Sequence, residues 1–95
     1  MKKYSVFVEG RNLLLNIDGQ EKKVGFYTTR YVEAYETNEA KYIALNLIQY
    51  DPKLMDNILN KESDLPRINV EKIEEIFEVD IPSPTGFTFF LEEDS

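Results

Sequence analysis

The chain has 95 residues, a formal charge of −7, and neither cysteine nor histidine. One domain is expected at this length, burying about 60–65% of its unfolded surface in a single core. The missing residue types exclude disulfides, thiolate metal sites, the usual zinc ligands and nucleophile systems built on Ser/His or Cys/His.

The charge is unevenly placed. Through Lys53 there are 8 basic and 7 acidic residues, a net of +1; from Leu54 onward there are 3 basic and 11 acidic, a net of −8. The acidic half argues against a general nucleic-acid binder, which needs cationic contacts to phosphate. It also reads as an ordinary solvated surface. The start, Met-Lys-Lys-Tyr-Ser-Val, is basic but leads into no long apolar run and no small-residue cleavage site, so a first strand is expected there rather than a signal peptide. No stretch approaches the ~20 apolar residues of a membrane span. These features, with the lack of cysteine, lead us to expect a cytoplasmic protein.

In chain order, residues 3–9 alternate as a first strand, with Tyr4, Val6 and Val8 on one side and Ser5, Phe7 and Glu9 on the other. Gly10-Arg11-Asn12 interrupts it as a turn or bulge. Leu13, Leu14, Leu15 and Ile17 continue as a second strand, and Asp18-Gly19 is a hairpin signal because both positions tolerate positive φ. A long strand follows from Val24 to Tyr35, rich in the β-branched and aromatic types that suit a pleated surface. Its alternation separates Val24, Phe26, Thr28, Arg30, Val32 and Ala34 from Gly25, Tyr27, Thr29, Tyr31, Glu33 and Tyr35. The first set carries the aliphatic residues and should face a helix; the second is a tyrosine row suited to partial exposure.

The period then changes. Ala40, Ile43, Ala44, Leu47 and Ile48 recur at helical spacing, with Thr37 or Asn38 available as N-cap and Glu39 in the first turn. Leu47, mid-stripe, is expected to be core. Asp51-Pro52 ends this helix and starts another, Asp51 capping and Pro52 at the first helical position. Leu54, Met55, Ile58 and Leu59 would be its buried side. After a polar loop at 60–66, residues 67–79 fit two patterns. Ile68 and Val70 alternate as in a strand, while Val70, Ile73, Ile76 and Phe77 also fit a helical stripe. A strand with an irregularity near Lys72 is preferred. Two prolines make Ile81–Gly86 a loop. Phe87, Phe89 and Leu91 form a last strand, and Glu92–Ser95 a solvated tail. The order β-β-β-α-α-β-β predicts an α+β domain: an antiparallel sheet of four to five strands with helices packed on one face.

The segments Tyr4-Ser5-Val6-Phe7-Val8-Glu9-Gly10, Gly25-Phe26-Tyr27-Thr28-Thr29-Arg30, Tyr31-Val32-Glu33-Ala34 and Gly86-Phe87-Thr88-Phe89 together resemble a group of small bacterial proteins of unknown function. That resemblance implies a bacterial, cytoplasmic protein and carries no functional residue over. More loosely, strands leading into Thr37-Asn38-Glu39-Ala40 and a helix resemble the β-β-β-α partner-binding fold of type II antitoxins. This is a likeness of fold alone, without the DNA-binding segment many of those proteins carry.

Three groups of residues remain as candidates for chemistry. Glu71, Glu74, Glu75, Glu78 and Asp80 are the densest acidic cluster, read as a charged strand edge that discourages sheet-to-sheet pairing in preference to a metal site. Thr28, Thr29 and Arg30 with Tyr27 and Tyr31 have the donors to hold a small anion, but cross-strand packing with Arg30 paired to a nearby acid is the preferred reading. Ser83-Pro84-Thr85-Gly86 is a stiff loop before an aromatic strand. Of the aromatics, Phe7, Phe26, Phe77, Phe87 and Phe89 are expected in the core, leaving the tyrosines for an interface.

These readings lead to a non-enzymatic module that self-associates or binds a protein through an exposed sheet face or edge, with a homodimer expected. The interface residues named from sequence are Tyr27, Thr29, Arg30, Tyr31, Tyr35, Glu74 and Glu78. The alternative is an acidic inhibitor or antitoxin-like protein engaging a basic partner; an enzyme using only carboxylate, Tyr and Arg is the remote one. No catalytic residue, cofactor, metal, nucleic acid or membrane is expected.

Overall fold

The computed structural model describes residues 1–77 and 86–92. Six elements follow in order: β1 (Lys2–Ile17), β2 (Gln20–Ala34), α1 (Thr37–Gln49), α2 (Pro52–Met55), β3 (Arg67–Ile76) and β4 (Thr88–Leu91). The four strands make one antiparallel sheet in the order β3-β1-β2-β4. The class is α+β with strand predominating. The expected seven-element order is not observed, because its first two strands are a single strand, β1.

β1 and β2 form a long hairpin closed by Asp18 (φ 51°) and Gly19 (φ 85°). Two left-handed residues give the turn whose twist matches that of the flanking strands. Asn16 Oδ1 accepts from Gly19 N at 2.9 Å, fixing the turn from its approach. The alternation expected for β2 is the one observed: Val24, Phe26, Thr28, Arg30, Val32 and Ala34 are all buried.

Gly10-Arg11-Asn12 is a bulge within β1. Gly10 lies opposite Phe26 and Leu13 opposite Val24, so Arg11 and Asn12 together face the single residue Gly25. Asn12 takes the left-handed conformation (φ 62°), which Asn tolerates better than most side chains. The extra residue shifts the phase of the strand. Before it the even positions Tyr4, Val6 and Val8 enter the core; after it the odd positions Leu13, Leu15 and Ile17 do.

β3 is a strand, and its irregularity falls where the sequence placed it. Lys72 pairs with Phe7 and Val70 with Val8, leaving Glu71 as the extra residue. β4 covers only Val24–Tyr27 of β2. Two glycines let aromatic rings lie flat on the sheet. A Cβ on Gly10 would stand 1.9 Å from the ring of Phe26, its cross-strand partner, and one on Gly25 would stand 2.3 Å from the ring of Phe90, likewise its partner.

α1 lays Ala40, Ala44 and Ile48 on the core face of the sheet. Small alanines let the helix approach closely, and Ile48 fills the space beyond them. Leu47 is 49% exposed, so it lies outside the core it was expected to join. One residue from Ile48, it turns about 100° off the buried line. The expected Thr37 or Asn38 cap is also absent: the N-cap position is Glu36, without a side-chain bond, and Glu39 Oε1 instead accepts from Tyr35 N at 2.8 Å. In α2, Asp51 caps through Lys53 N at 3.0 Å and Pro52 opens the helix, as read. The helix is shorter than expected, so Ile58 and Leu59 fall beyond it: Leu54 is fully buried, Ile58 partly, and Leu59 is 45% exposed.

The segment after α2 serves as a surrogate strand. Leu59 N donates to Leu14 O, Leu14 N donates to Asn60 Oδ1, and Asn60 Nδ2 donates to Asn12 O. This pairs the part of β1 that extends beyond the start of β3. The supposed solvated tail is also engaged at its first residue: Asn12 N donates to Glu92 Oε1 at 2.7 Å, and Glu92 N to Lys23 O.

Candidate functional site

Among the described residues, one face of the sheet carries the helices and the other carries none. Cross-strand register assigns the second face residue by residue, because directly opposite residues share a side. β2 gives Gly25, Tyr27, Thr29, Tyr31 and Glu33; β1 gives Lys3, Ser5, Phe7 and Glu9 opposite them. β3 adds Asn69, Lys72, Glu74 and Ile76, and β4 adds Thr88 and Phe90.

At its centre the rings of Phe7 and Tyr27 stack, centroids 5.5 Å apart and 8° from parallel. Tyr27 meets Phe90 at 5.0 Å, and the Arg11 guanidinium lies over Phe90 at 5.1 Å. Arg11 Nε also donates to Glu9 Oε1 at 3.1 Å. Arg11 is the main reason that the Glu9 carboxyl is held below its ordinary value of 4.5, with the Tyr27 hydroxyl adding to the effect. The result is an aromatic strip edged by an ion pair, half-exposed and flat. Such a surface can stack against another apolar or aromatic surface while its rim makes polar contacts.

The residues named from sequence divide among several places. Tyr27, Thr29 and Tyr31 lie on this open face, all half-buried. Glu74 lies on the same face, exposed, and pairs with Lys72. Tyr35 is past the end of β2 and 71% exposed. Glu78 is outside the described residues, as are Asp80, Ser83, Pro84 and Thr85. Arg30 is on the opposite face, only 8% exposed, so it does not join Tyr27 and Tyr31 in one anion site.

Arg30 is instead a buried tie. Its Nη2 donates to Asp51 Oδ2 at 2.9 Å, and its guanidinium lies over the Phe87 ring at 5.1 Å. Among the described residues, its buried Nε has no hydrogen-bond partner. Thr28 Oγ1, its neighbour on the strand, donates to Gly86 O at 2.8 Å. Together they bind the start of α2 and the approach to β4 onto β2.

The sequence reading missed Phe7, Glu9, Arg11 and Phe90 as members of the open face. Phe7 had been assigned to the core and is 37% exposed; Phe77, assigned likewise, is 85% exposed, and Phe89 is 46% exposed. The signal for Phe7 was present in its alternation with Val6 and Val8. On the helix side, two open grooves remain. One of about 360 Å³ is lined by Leu15, Lys53, Leu54, Leu59 and Phe89, and one of about 280 Å³ by Leu13, Ile58, Leu65, Pro66 and Ile68. The first groove is also lined by Asp56, along with Lys53. Among the described residues, no three acidic side chains converge as metal ligands, and no helix is long and apolar enough to cross a membrane.

Comparison with protein families, with curated proteins and with solved structures finds no match.

Proposed function

We propose that the protein is a non-enzymatic interaction module that holds another protein against the uncovered face of its sheet. The observation that supports this reading is the aromatic strip Phe7–Tyr27–Phe90, with Phe7 and Tyr27 stacked and Phe90 tilted against Tyr27, on a face that no helix among the described residues covers. Rings that stack in plane on a sheet offer a large contact area at little further cost in side-chain entropy. Arg11, Glu9, Lys72 and Glu74 around them supply a polar rim of both signs.

The test is a comparative capture from a lysate of the native host, with the partner then purified. A protein retained by the wild-type chain and lost on Tyr27→Ser, with the variant still folded by circular dichroism, is the expected result. Equal retention by Tyr27→Ser ends the open-face reading. Retention lost only on Glu74→Lys, and weakened by salt, would favour the acidic-inhibitor alternative, because screened surface charge then carries the binding.

A further inference from the structure

We propose that the outer edge of β3 pairs antiparallel with β3 of a second copy of this chain, joining the two sheets into one. The proposal uses a different surface from the open face and names its occupant.

β3 ends the sheet order, and no described residue pairs its outer edge. Glu74 and Glu75 have partners in Lys72 and Lys2, but Arg67 is unbalanced within the described chain. Arg67 lies opposite Arg11, and like charges directly opposite each other repel. Arg11 is occupied by Glu9, and Arg67 makes no ion pair among the described residues. The apolar side of the strand is also incompletely covered: Ile68, Val70 and Ile73 point to the helix side yet are only partly buried. Leu65 and Phe77, just beyond the two ends of β3, are 65% and 85% exposed.

One register answers all of these features. Setting Arg67 against Glu74 of the second copy puts Ile68 against its Ile73 and Asn69 against its Lys72. Each pair then lies on a matching face: Arg67 and Glu74 on the open side, Ile68 and Ile73 on the helix side. The two-fold axis passes between Val70 and Glu71. Glu71 is therefore set against Val70 of the second copy, and the two irregularities adjoin at the axis. A regular foreign strand would meet one alone, and a bulge with charges deters such pairing. Leu65 of each copy also falls beside Ile76 and Phe77 of the other. The next register with matching faces sets Arg67 against Ile76 and Ile68 against Glu75, leaving the arginine without a carboxylate.

Light scattering over a concentration series tests this with three chains. The wild type should give a species of twice the 11.1 kDa chain mass. Arg67→Glu should be monomeric, since it sets glutamate against Glu74 twice in the dimer. Within one chain it replaces the Arg11–Arg67 repulsion with an attraction, so the monomer should melt no lower than the wild type. The double variant Arg67→Glu/Glu74→Arg should be a dimer again. A wild type that stays monomeric at hundreds of micromolar overturns the proposal. So does a dimer that survives Arg67→Glu, or one that the double variant fails to restore. A dimer broken by Tyr27→Ser but untouched by Arg67→Glu also overturns it and moves self-association to the open face.

Discussion

The two faces of the sheet use the same residue types to opposite ends. On the covered face, Phe26 is fully buried, its ring over Gly10 and edge-on to Phe87 at 5.0 Å. On the open face, Phe7 stacks on Tyr27 and stays 37% exposed. Charge follows the same division. Arg30 on the covered side is locked to Asp51, while Arg11 on the open side pairs with Glu9 at the surface. Strand alternation decides which residues share a side, but the helix decides which side becomes the core.

Truncations should expose this asymmetry most strongly. Phe26→Ala should cost about 3–5 kcal/mol, the loss of a buried ring plus the cavity it leaves. Phe7→Ala should cost about 1 kcal/mol, roughly the worth of an aromatic pair in partial solvent. Urea melts of both variants measure the difference, and equal losses would mean the open face is as much core as the other. Adjacent residues on α1 sharpen the same contrast. Ile48→Ala should cost about 2–5 kcal/mol, with Leu47→Ala below about 1 kcal/mol. This reverses the importance that Leu47 has when the helix is read as a stripe.

Asp51→Ala should cost about 2–3 kcal/mol, because it leaves a buried guanidinium unpaired. It should also loosen residues 86–91, which hydrogen exchange can follow at the amides of β4. The smallest effect belongs to the open face. Glu9 has its carboxyl lowered from 4.5, so the stability it lends is present above that value and is lost as the pH falls through the lower, folded one. An NMR titration should place the Glu9 midpoint below 4.5, and Arg11→Gln should move it upward. A midpoint unmoved by that substitution would remove Arg11 as the cause.

Much of the fold was legible because it depends on local pattern. The faces of β2 follow from alternation, the Asp18-Gly19 turn from positive-φ tolerance, and the preference for a strand at β3 from Ile68 and Val70, against a helical stripe that Ile73 also fits. The open face was half legible: the tyrosine row was found, but Phe7 was drawn into the core by its hydrophobicity alone. Arg30 was grouped with its sequence neighbours although alternation had already put it on the other side. What stayed hidden depends on contacts distant in sequence. Asn60 reaching Asn12 and Leu14, and Glu92 reaching Asn12, leave no periodic trace. Gly10-Arg11-Asn12 has the composition of a turn, and only the resumed pairing with Val24 reveals a bulge.

That bulge gives β1 something like a reading frame. Up to Gly10 the inward residues bear even numbers; from Leu13 they bear odd ones. Pairing Arg11 and Asn12 one to one with Gly25 and Val24, without the bulge, would turn Leu13, Leu15 and Ile17 outward and Leu14 and Asn16 inward. The hairpin would still form while half of its core lay in solvent. Deleting Arg11 would leave Leu13 opposite Val24 and the interior intact, whereas deleting Leu14, inside the paired run, would turn Leu15 and Ile17 to solvent; the bulge is the place where β1 can lose a residue and keep its two halves in phase with a common interior.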